Sequence, residues 1–337
     1  MLIDPDGVPT GAARMPDDAA LTTAYEKLIA GRRFNDQAYA LVRQGRLAVY
    51  PSSHGQEACQ VAAAQVLADG DWLFPTYRDT VAAVTRGVDP VEVLTLLKGD
   101  WHNGYDPYEH HVAPLATPLA TQLLHAVGVA HAARLRDEPT VVMALCGDGA
   151  TSEGDFHEAL NFAAIFRAPV VFLVQNNGFA ISVPLSRQSA APSLAHKGIG
   201  YGIKGERVDG NDVAALLAVL GAALERARAG EGPQLVEAHT YRIQAHTNAD
   251  DAGRYRDEAE VASWAKRDPI ARLAAYLGPP SAAANEAAER LAERMRDGIN
   301  ADVTANPGDL FEYVYATPTP QLLEQRALLQ DEMSRES

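Results

Sequence analysis

Two short apolar runs, each followed directly by a polar turn, constrain the fold of this chain more than any other feature. The first covers residues 141–145 and ends at the turn Gly147-Asp148-Gly149, and the second covers residues 170–174 and leads into Asn176-Asn177. Both runs are short and rich in β-branched residues, as is typical of strands buried on both faces. They predict two neighbouring strands of a parallel sheet.

The segment between these runs predicts a helix. Residues 152–155 resemble a capping box with acidic residues in the first turn, and Phe156, Leu160 and Ala163 recur at helical spacing. Pro169 ends the helical pattern. A strand, a helix and a second strand in this order form a βαβ unit, which makes the two strands parallel.

Polar side chains follow both predicted strands at the point where each strand ends. Asp148 and Asn177 therefore fall at the edge where open parallel sheets bind ligands. A carboxylate and an amide oxygen are too few to enclose an ion, and this incomplete set suits Mg²⁺ held jointly by protein and a diphosphate. Such dipeptides usually mark ordinary tight turns. Two of them at matching strand ends favour a ligand site.

These segments resemble a known family. Gly-Asp-Gly, 26 further residues and Asn-Asn resemble the thiamine diphosphate signature. The flanking segments GDGATSEGDFHEALNFAA and QNNGFAISVP resemble the α subunit of the heterotetrameric 2-oxo acid dehydrogenases, the decarboxylating component of the pyruvate and branched-chain complexes. The resemblance runs from about residue 21 to 315 and implies an α/β fold, with a mostly parallel sheet and helices on both faces.

The resemblance implies a metal and diphosphate site at the strand ends. The side chains of Asp148 and Asn177 and the carbonyl group of Phe179 would hold Mg²⁺, with Gly149 and Ala150 against the diphosphate. The family usually has Tyr where Phe179 stands, which matters little if only the carbonyl group is used.

Tyr77 and Arg78 end the segment DWLFPTYR. From the residues alone, a helix start packed on the surface is the more common interpretation. In the family, a Tyr-Arg pair follows such a Phe-Pro, and the resemblance implies that Arg78 forks onto the cofactor diphosphate, as a planar guanidinium can. Tyr77 is expected beside it.

The segment TPLATQ, residues 117–122, is expected to contact the cofactor as well. The resemblance implies contacts from Thr117 and Leu119 and a monovalent cation, K⁺, near Thr121 and Gln122. Thr117 stands where the family usually has Ser, so this chain departs from the family pattern at the expected K⁺ site. PLATQ resembles the branched-chain members more than the pyruvate members, so 3-methyl-2-oxobutanoate is the favoured substrate type, with pyruvate and acetoin dehydrogenase α subunits as alternatives.

The loop TYRIQAHTNADDAGRYR, residues 240–256, has the composition of a solvated linker. The resemblance implies an active-site loop in which His246 contacts the cofactor and acts in catalysis. A histidine near its ordinary pKa can donate a proton at neutral pH, and acyl transfer to a lipoyl dithiolane needs an acid. Thr247 follows where mitochondrial members carry a phosphorylated Ser.

Two further groups of polar residues allow more than one interpretation. His54 and Gln56 lie at a predicted helix entrance, where a cofactor contact and a surface cap are equally plausible. The loop of residues 101–114 contains His102, Glu109, His110 and His111. Their spacing matches no zinc pattern, so we expect ordinary loop residues.

The charge and cysteine content exclude several classes of partner. A formal net charge of −15 argues against nucleic acid or an anionic membrane as a partner. Cys59 and Cys146 are the only two cysteines and lack metal spacing, so we expect reduced core thiols in a cytoplasmic protein. No apolar run reaches membrane length, which predicts a soluble chain.

The sequence predicts a division into three parts. These are an N-terminal arm over residues 1–20, the diphosphate-side cofactor domain over 21–275, and a helical C-terminal extension and tail over 276–337. Single-chain enzymes of this chemistry carry a second, pyrimidine-binding domain, for which this chain has no room before Gly147. We therefore expect a β subunit that brings the activating Glu, an α2β2 assembly, and a lipoyl-bearing acyltransferase core that takes the acyl group from a small 2-oxo acid.

Two other classes of protein fit the sequence less well. A dinucleotide-binding domain needs Gly-x-Gly-x-x-Gly after a strand, and Ala150-Thr151-Ser152 breaks that pattern. A noncatalytic assembly subunit would keep the fold and lose the site. The combination of Asp148, Asn177, Arg78 and His246 argues against it.

Overall fold

The computed structural model describes residues 1–11, 15–99, 103–301 and 306–336. Residues 1–299 form one compact unit and residues 300–337 a second, smaller one. The predicted boundaries at residues 20 and 275 separate parts of the chain by function, not by compactness, and they stay a proposal. In the larger unit, Met295 and Ile299 join the same apolar cluster as the helices that cover the sheet.

A five-stranded parallel sheet forms the centre of the larger unit, with strand order β1-β2-β3-β7-β6. A separate antiparallel hairpin pairs β4 with β5. The strands are β1 (Trp72–Phe74), β2 (Val142–Gly147), β3 (Val170–Asn176), β4 (Phe179–Ala180), β5 (Val183–Pro184), β6 (Gly205–Asp209) and β7 (Gln234–His239). The predicted βαβ unit is confirmed, because β2 and β3 pair in parallel, with Gly147 opposite Gln175.

Thirteen α-helices are described in these parts of the chain. They are α1 (Asp18–Arg43), α2 (Glu57–Gln65), α3 (Thr80–Thr85), α4 (Pro90–Lys98), α5 (Pro107–His110), α6 (Thr121–Leu135), α7 (Gly154–Phe166), α8 (Val213–Arg228), α9 (Glu258–Ala265), α10 (Pro269–Leu277), α11 (Ala282–Asn300), α12 (Asp309–Glu312) and α13 (Pro320–Glu336).

Both faces of the sheet are buried, which explains the continuous apolar runs. Successive side chains of a strand point to opposite faces. Met143 and Leu145 of β2 therefore join the apolar cluster formed with α1, α2 and α8. Ala144 and Cys146 join the cluster formed with α6 and α7. The predicted α/β class, with helices on both faces, is confirmed.

The turn after β2 differs from the prediction. Instead of a helix capped by residues 152–155, a short 3₁₀ turn covers Gly149–Ser152, and α7 begins at Gly154 with no side-chain cap. The ammonium group of Lys197 holds this turn by donating to the carbonyl and hydroxyl oxygens of Thr151, at 2.6 and 2.9 Å. The extra turn keeps the backbone after Asp148 close to the sheet edge.

The first residues of the chain pack against other parts of the larger unit. Ile3 is fully buried, and the backbone amides of Leu2 and Ile3 donate to the carboxylate of Asp212. The same carboxylate caps α8 by accepting from the backbone amide of Ala215.

Both cysteines, Cys59 and Cys146, are buried and free, as predicted for core thiols. Within the described residues, no helix is long and apolar enough to cross a membrane.

Candidate active site

A cavity of about 330 Å³ lies at the carboxyl ends of the central strands. It gathers most of the residues predicted from the sequence. The predicted residues that line it are Tyr77, Arg78, Leu119, Gln122, Asp148, Gly149, Ala150, Asn177, Phe179 and His246. Thr117 and Thr121 do not line it. The segments that meet here follow β1, β2, β3 and β7, so the parallel sheet brings residues far apart in sequence to one edge.

Asp148 follows the last residue of β2, and its side chain is almost fully buried. Its Oδ2 atom accepts a hydrogen bond from Nε2 of Gln188 at 3.0 Å. Burial raises the pKa of this carboxyl, and the hydrogen bond from Gln188 opposes that rise. None of the ion pairs in the described residues involves Asp148, although the charge of Arg242 in the same cavity also opposes the rise in pKa. A buried, unneutralised carboxylate is a suitable ligand for a cation.

Asn177 lies just beyond β3 and is also buried. Its Nδ2 atom donates to Oε1 of Gln56 at 3.0 Å, and its Oδ1 atom accepts from the backbone amide of Phe179 at 3.1 Å. The amide oxygen is thus turned away from Gln56. Gln56, for which the sequence left a cofactor contact and a surface cap open, lines the cavity, and His54 does not.

The turn that carries Asp148 tolerates no side chain at Gly149. A Cβ atom built there would lie 2.8 Å from Cβ of Ala180 in the β4–β5 hairpin. This close approach lets the backbone at Gly149 and Ala150 form a wall of the cavity. A backbone wall next to a buried carboxylate suits a ligand with phosphate groups, because amide N–H groups can donate to them.

Arg78 is buried, and its guanidinium faces oxygen and nitrogen acceptors rather than a carboxylate. It donates to the carbonyl oxygen of Ser52 at 3.0 Å and to that of His246 at 3.1 Å. None of the ion pairs in the described parts of the chain involves Arg78. A buried guanidinium that lacks a carboxylate and lines a cavity suits an anionic ligand.

Arg242 lines the same cavity, and sequence reasoning missed it. Its guanidinium is buried and donates to the carbonyl oxygen of Ile181 at 2.8 Å and to the hydroxyl of Tyr255 at 2.9 Å. Burial and the neighbouring Arg78 lower the pKa of Arg242. It too has no ion-pair partner among the described residues. Arg242 follows shortly after β7, so the strand-end rule that indicated Asp148 and Asn177 could have found it.

His246 lies between the two arginines. Its Nδ1 atom lies 3.1 Å from Nη2 of Arg78 and 3.3 Å from Nη1 of Arg242. Guanidinium groups only donate, so Nδ1 accepts and the ring proton is on Nε2. Partial burial and these two charges lower the pKa of His246 to about 4. The expectation of an ordinary histidine pKa is therefore wrong for the ligand-free chain.

The loop that carries His246 is ordered by its own polar side chains. The backbone amide of His246 donates to the carboxylate of Asp250 at 2.7 Å, and the hydroxyl of Tyr255 donates to the same carboxylate. Tyr77 packs edge-on against the His246 ring, with ring centroids 6.1 Å apart. A polar sequence here forms a hydrogen-bonded loop, not a solvated linker.

Apolar side chains form the rim of the cavity. Leu119, Ile181 and Val183 line it and remain 45, 56 and 44% exposed. Ile181 has a φ of 53°, which is strained for a β-branched residue, and its carbonyl group is held by Arg242. An apolar rim around a polar floor suits a site that another surface closes.

Thr117 and Thr121 lie outside the cavity lining, whereas Gln122 belongs to it. Thr117 is exposed, and the hydroxyl of Thr121 lies 3.4 Å from a carboxylate oxygen of Asp155. Gln122 donates to the carbonyl oxygen of Leu145 at 2.7 Å, and its Oε1 atom is buried without a hydrogen-bond partner among the described residues.

In the loop that contains Glu109, His110 and His111, the ring of His111 contacts the carbonyl oxygen of Asp69 at 2.6 Å and packs on Trp72. Glu109 and His110 belong to the short helix α5. His102 lies outside the described residues.

The fold and the cavity define a class of protein that comparison with known families identifies. Residues 26–309 match the family described as dehydrogenase E1 component, and the chain belongs to that family. The family is thiamine diphosphate-dependent. The predicted resemblance is thereby confirmed.

Relatives within the family are α subunits. The chain is 47% identical to the 3-methyl-2-oxobutanoate dehydrogenase subunit alpha of Mycobacterium tuberculosis, over 99% of this chain and 94% of the relative. It is 37% identical to the pyruvate dehydrogenase E1 component subunit alpha of Acholeplasma laidlawii, over 93% of each chain. It is 34% identical to the corresponding Staphylococcus aureus subunit, over 99% of this chain and 93% of the relative. These matches confirm the predicted function at the level of a 2-oxo acid dehydrogenase α subunit.

Proposed function

We propose that this chain is the α subunit of an enzyme that decarboxylates a branched-chain 2-oxo acid of the 3-methyl-2-oxobutanoate type on thiamine diphosphate, with Mg²⁺, and passes the acyl group to a lipoyl group. One observation carries the proposal. The cavity holds a buried carboxylate, Asp148, and two buried guanidinium groups, Arg78 and Arg242, and none of the three has an ion-pair partner among the described residues. A metal cation bound to a diphosphate would offset both kinds of charge at once.

In this proposal the metal end is formed at the ends of β2 and β3. Asp148, the side-chain oxygen of Asn177 and the carbonyl group of Phe179 hold Mg²⁺, which prefers hard oxygen ligands and completes its shell with phosphate and water. When bound, thiamine diphosphate supplies the nucleophilic carbon and the electron sink for decarboxylation. The chain supplies the residues that bind its diphosphate.

The diphosphate end is formed by backbone and arginine. Gly149 and Ala150 bring the backbone against the phosphates, and Arg78 donates to them, with Tyr77 packed beside it. We add Arg242 to this set, because its charge faces the same cavity. Leu119 contacts the cofactor from the rim. Thr117 is exposed in the chain by itself, so its contact depends on the assembled enzyme.

His246 is proposed to hold the proton that is delivered to the departing lipoyl thiolate. In the ligand-free chain the ring is neutral at pH 7, since its pKa is about 4. A bound diphosphate would offset the charges of Arg78 and Arg242, which favours the protonated ring and raises this pKa. The acid is thereby available only when the cofactor is in place.

A K⁺ ion near Thr121 and Gln122 is also proposed. The buried Oε1 atom of Gln122, which lacks a partner among the described residues, supports it. The contact between Thr121 and Asp155 and the presence of Thr117 in place of Ser weigh against it.

The partner that closes the site is proposed to be a β subunit bearing the activating Glu, in an α2β2 assembly that docks a lipoyl-bearing acyltransferase core. The exposed apolar rim formed by Leu119, Ile181 and Val183 supports closure by another chain. Residues 21–275 form the diphosphate-side domain in this proposal.

The choice of substrate rests on the higher identity to the branched-chain relative, 47% against 37 and 34% for the two pyruvate relatives. The test is the rate of decarboxylation by the chain with its β subunit, measured with 3-methyl-2-oxobutanoate and with pyruvate. We expect the branched substrate to have the higher kcat/KM. A higher value for pyruvate would favour the pyruvate alternative, and activity with neither would leave acetoin to be measured.

A noncatalytic assembly subunit is the alternative of another class. Calorimetry of Mg²⁺-dependent thiamine diphosphate binding by the chain with its β subunit separates the two. Binding supports the catalytic proposal, and its absence supports the assembly role.

A further inference from the structure

Four buried side chains form a hydrogen-bonded chain behind the metal end of the cavity, which we call the amide relay: Asp79, Gln175, Gln56 and Asn177. None is more than 6% exposed. Gln175 donates to Oδ1 of Asp79 at 2.7 Å, and Gln56 donates to Oε1 of Gln175 at 3.2 Å. Asn177 donates to Oε1 of Gln56 at 3.0 Å. The relay thus runs from a carboxylate to one of the proposed metal ligands.

The direction of every hydrogen bond in the relay follows from Asp79. A carboxylate only accepts, and Oδ2 of Asp79 already accepts from the backbone amide and the hydroxyl of Thr76, at 2.8 and 2.7 Å. Gln175 must therefore present its NH₂ group to Oδ1 of Asp79. An amide that presents nitrogen on one side presents oxygen on the other, so Gln56 and Asn177 must be oriented in the same sense.

We propose that Asp79 is a positioning residue that fixes which atom Asn177 presents to the metal. The inference rests on the proposed function, in which the Asn177 oxygen binds Mg²⁺. Because the Asn177 nitrogen donates to Gln56, its oxygen faces the other way, 3.1 Å from the backbone amide of Phe179. Mg²⁺ binds amide oxygen and not amide NH₂, so the relay sets the metal affinity from a residue that does not touch the metal.

The substitution Asp79→Asn tests this directly. The new side chain has nearly the same shape, and its oxygen still faces the two donors of Thr76. Its NH₂ group then meets the NH₂ group of Gln175. This conflict moves to the metal end when Gln175, Gln56 and Asn177 each turn their amides over. Asn177 then presents nitrogen both to the metal and to the backbone amide of Phe179.

A second substitution restores the original orientation without touching the metal ligand. In Asp79→Asn with Gln56→Glu, the NH₂ group of Asn at position 79 donates to Gln175, and Gln175 donates to the new carboxylate at position 56. Asn177 also donates to that carboxylate, so its oxygen again faces the metal. The total charge equals that of the natural chain, since the carboxylate has only moved along the relay.

The measurement is a titration of the full chain with its β subunit, using Mg²⁺ in the presence of thiamine diphosphate and following heat. We expect Asp79→Asn to weaken Mg²⁺ binding by roughly 10- to 100-fold, the usual range for a lost supporting contact. Adding Gln56→Glu should recover most of that loss. The matched control is Asp212→Asn, which alters an equally buried carboxylate that accepts from the backbone amides of Leu2, Ile3 and Ala215. It should leave Mg²⁺ binding unchanged.

Unchanged affinity in Asp79→Asn overturns the proposal. So does a loss that Gln56→Glu fails to recover, because Asp79 would then act only through the local fold. If Asp79→Asn does not fold, the thermal unfolding midpoints of the other variants test the proposal. Each single substitution leaves two donors or two acceptors facing each other, whereas the double substitution leaves no such contact. The pair must then unfold at a higher temperature than Gln56→Glu alone, and additive losses overturn the proposal. Failure of the natural chain to bind Mg²⁺ and cofactor would instead contradict the proposed function.

Discussion

The Nδ1 atom of His246 lies 3.1 Å from Nη2 of Arg78, a residue 168 positions earlier in the chain. A second guanidinium, that of Arg242, approaches the same nitrogen to 3.3 Å. Two donors on one imidazole nitrogen favour the neutral ring. This arrangement makes the protonation of His246 a measure of what occupies the cavity.

We expect His246 to titrate with a midpoint at about pH 4 in the ligand-free chain, far below its ordinary value of 6.5. NMR of the ring protons measures this. Arg242→Gln should move the midpoint upward, because it removes a positive charge beside the ring. A midpoint near 6.5 in the unsubstituted chain would contradict the geometry described here.

The same shift has a consequence for stability. Because the folded chain lowers the pKa of His246, the unfolded chain binds this proton more tightly. Stability should therefore fall as the pH is lowered from about 6.5 to about 4. His246→Gln should lessen this loss in a urea titration repeated across that pH range. An equal pH dependence in both chains would show that other groups cause it.

Asp148→Asn should stabilise the folded chain while it weakens the binding of Mg²⁺ and cofactor. Burial raises the pKa of the Asp148 carboxyl, so its ionised form at pH 7 disfavours the folded state, and this cost grows as the pH rises above the ordinary value of 3.8. In buffer with a chelator, the variant should be more stable by about 1 kcal/mol, as is common when a buried group kept for function is replaced. Mg²⁺ and cofactor binding should weaken together, and more severely in Asp148→Ala. A less stable Asp148→Asn, or unchanged cofactor affinity, would count against this assignment.

The proposed acid role of His246 predicts a difference between two assays. His246→Ala should slow reductive acylation of a lipoyl domain by roughly 10²–10⁴, the range for a positioned acid. Decarboxylation followed with an artificial electron acceptor should fall much less, because it involves no departing thiolate. An equal fall in both assays would mean that His246 positions Arg78 or the loop instead.

The exposed rim predicts that the chain needs its partner. Purified alone, it should not decarboxylate any of the candidate 2-oxo acids, and activity should appear on addition of the β subunit. Turnover by the lone chain would refute the split-site proposal. Leu119→Ser offers a more local measurement, since an apolar rim residue should matter more to the assembled enzyme than to the folding of the free chain.

The sheet could be predicted because its strands are buried on both faces, which leaves continuous apolar runs in the sequence. Asp148 and Asn177 could be predicted for a related reason: parallel strands end at one edge, so residues after strand ends meet there. The same rule applied to β7 would have indicated Arg242. The charged composition of its loop concealed it, because hydrogen bonds among Arg242, Tyr255 and Asp250 cannot be recognised from composition.

Other features depend on contacts between distant positions. The amide relay joins residues 79, 175, 56 and 177, and no local pattern relates them. The pKa of His246 departs from expectation because the charges that lower it lie on other segments. The predicted capping box failed because a 3₁₀ turn, held by Lys197, precedes α7.

The contrast between the buried floor of the cavity and its exposed rim sets where this enzyme can change over evolutionary time. Each amide in the floor fixes the orientation of the next, so a single replacement there propagates to the others and is tolerated only with a compensating second change. Leu119 and Val183 are exposed and have no such partners to satisfy. Single replacements at the rim can therefore change the surface that a substrate or the β subunit would meet, without disturbing the hydrogen bonds that orient Asn177.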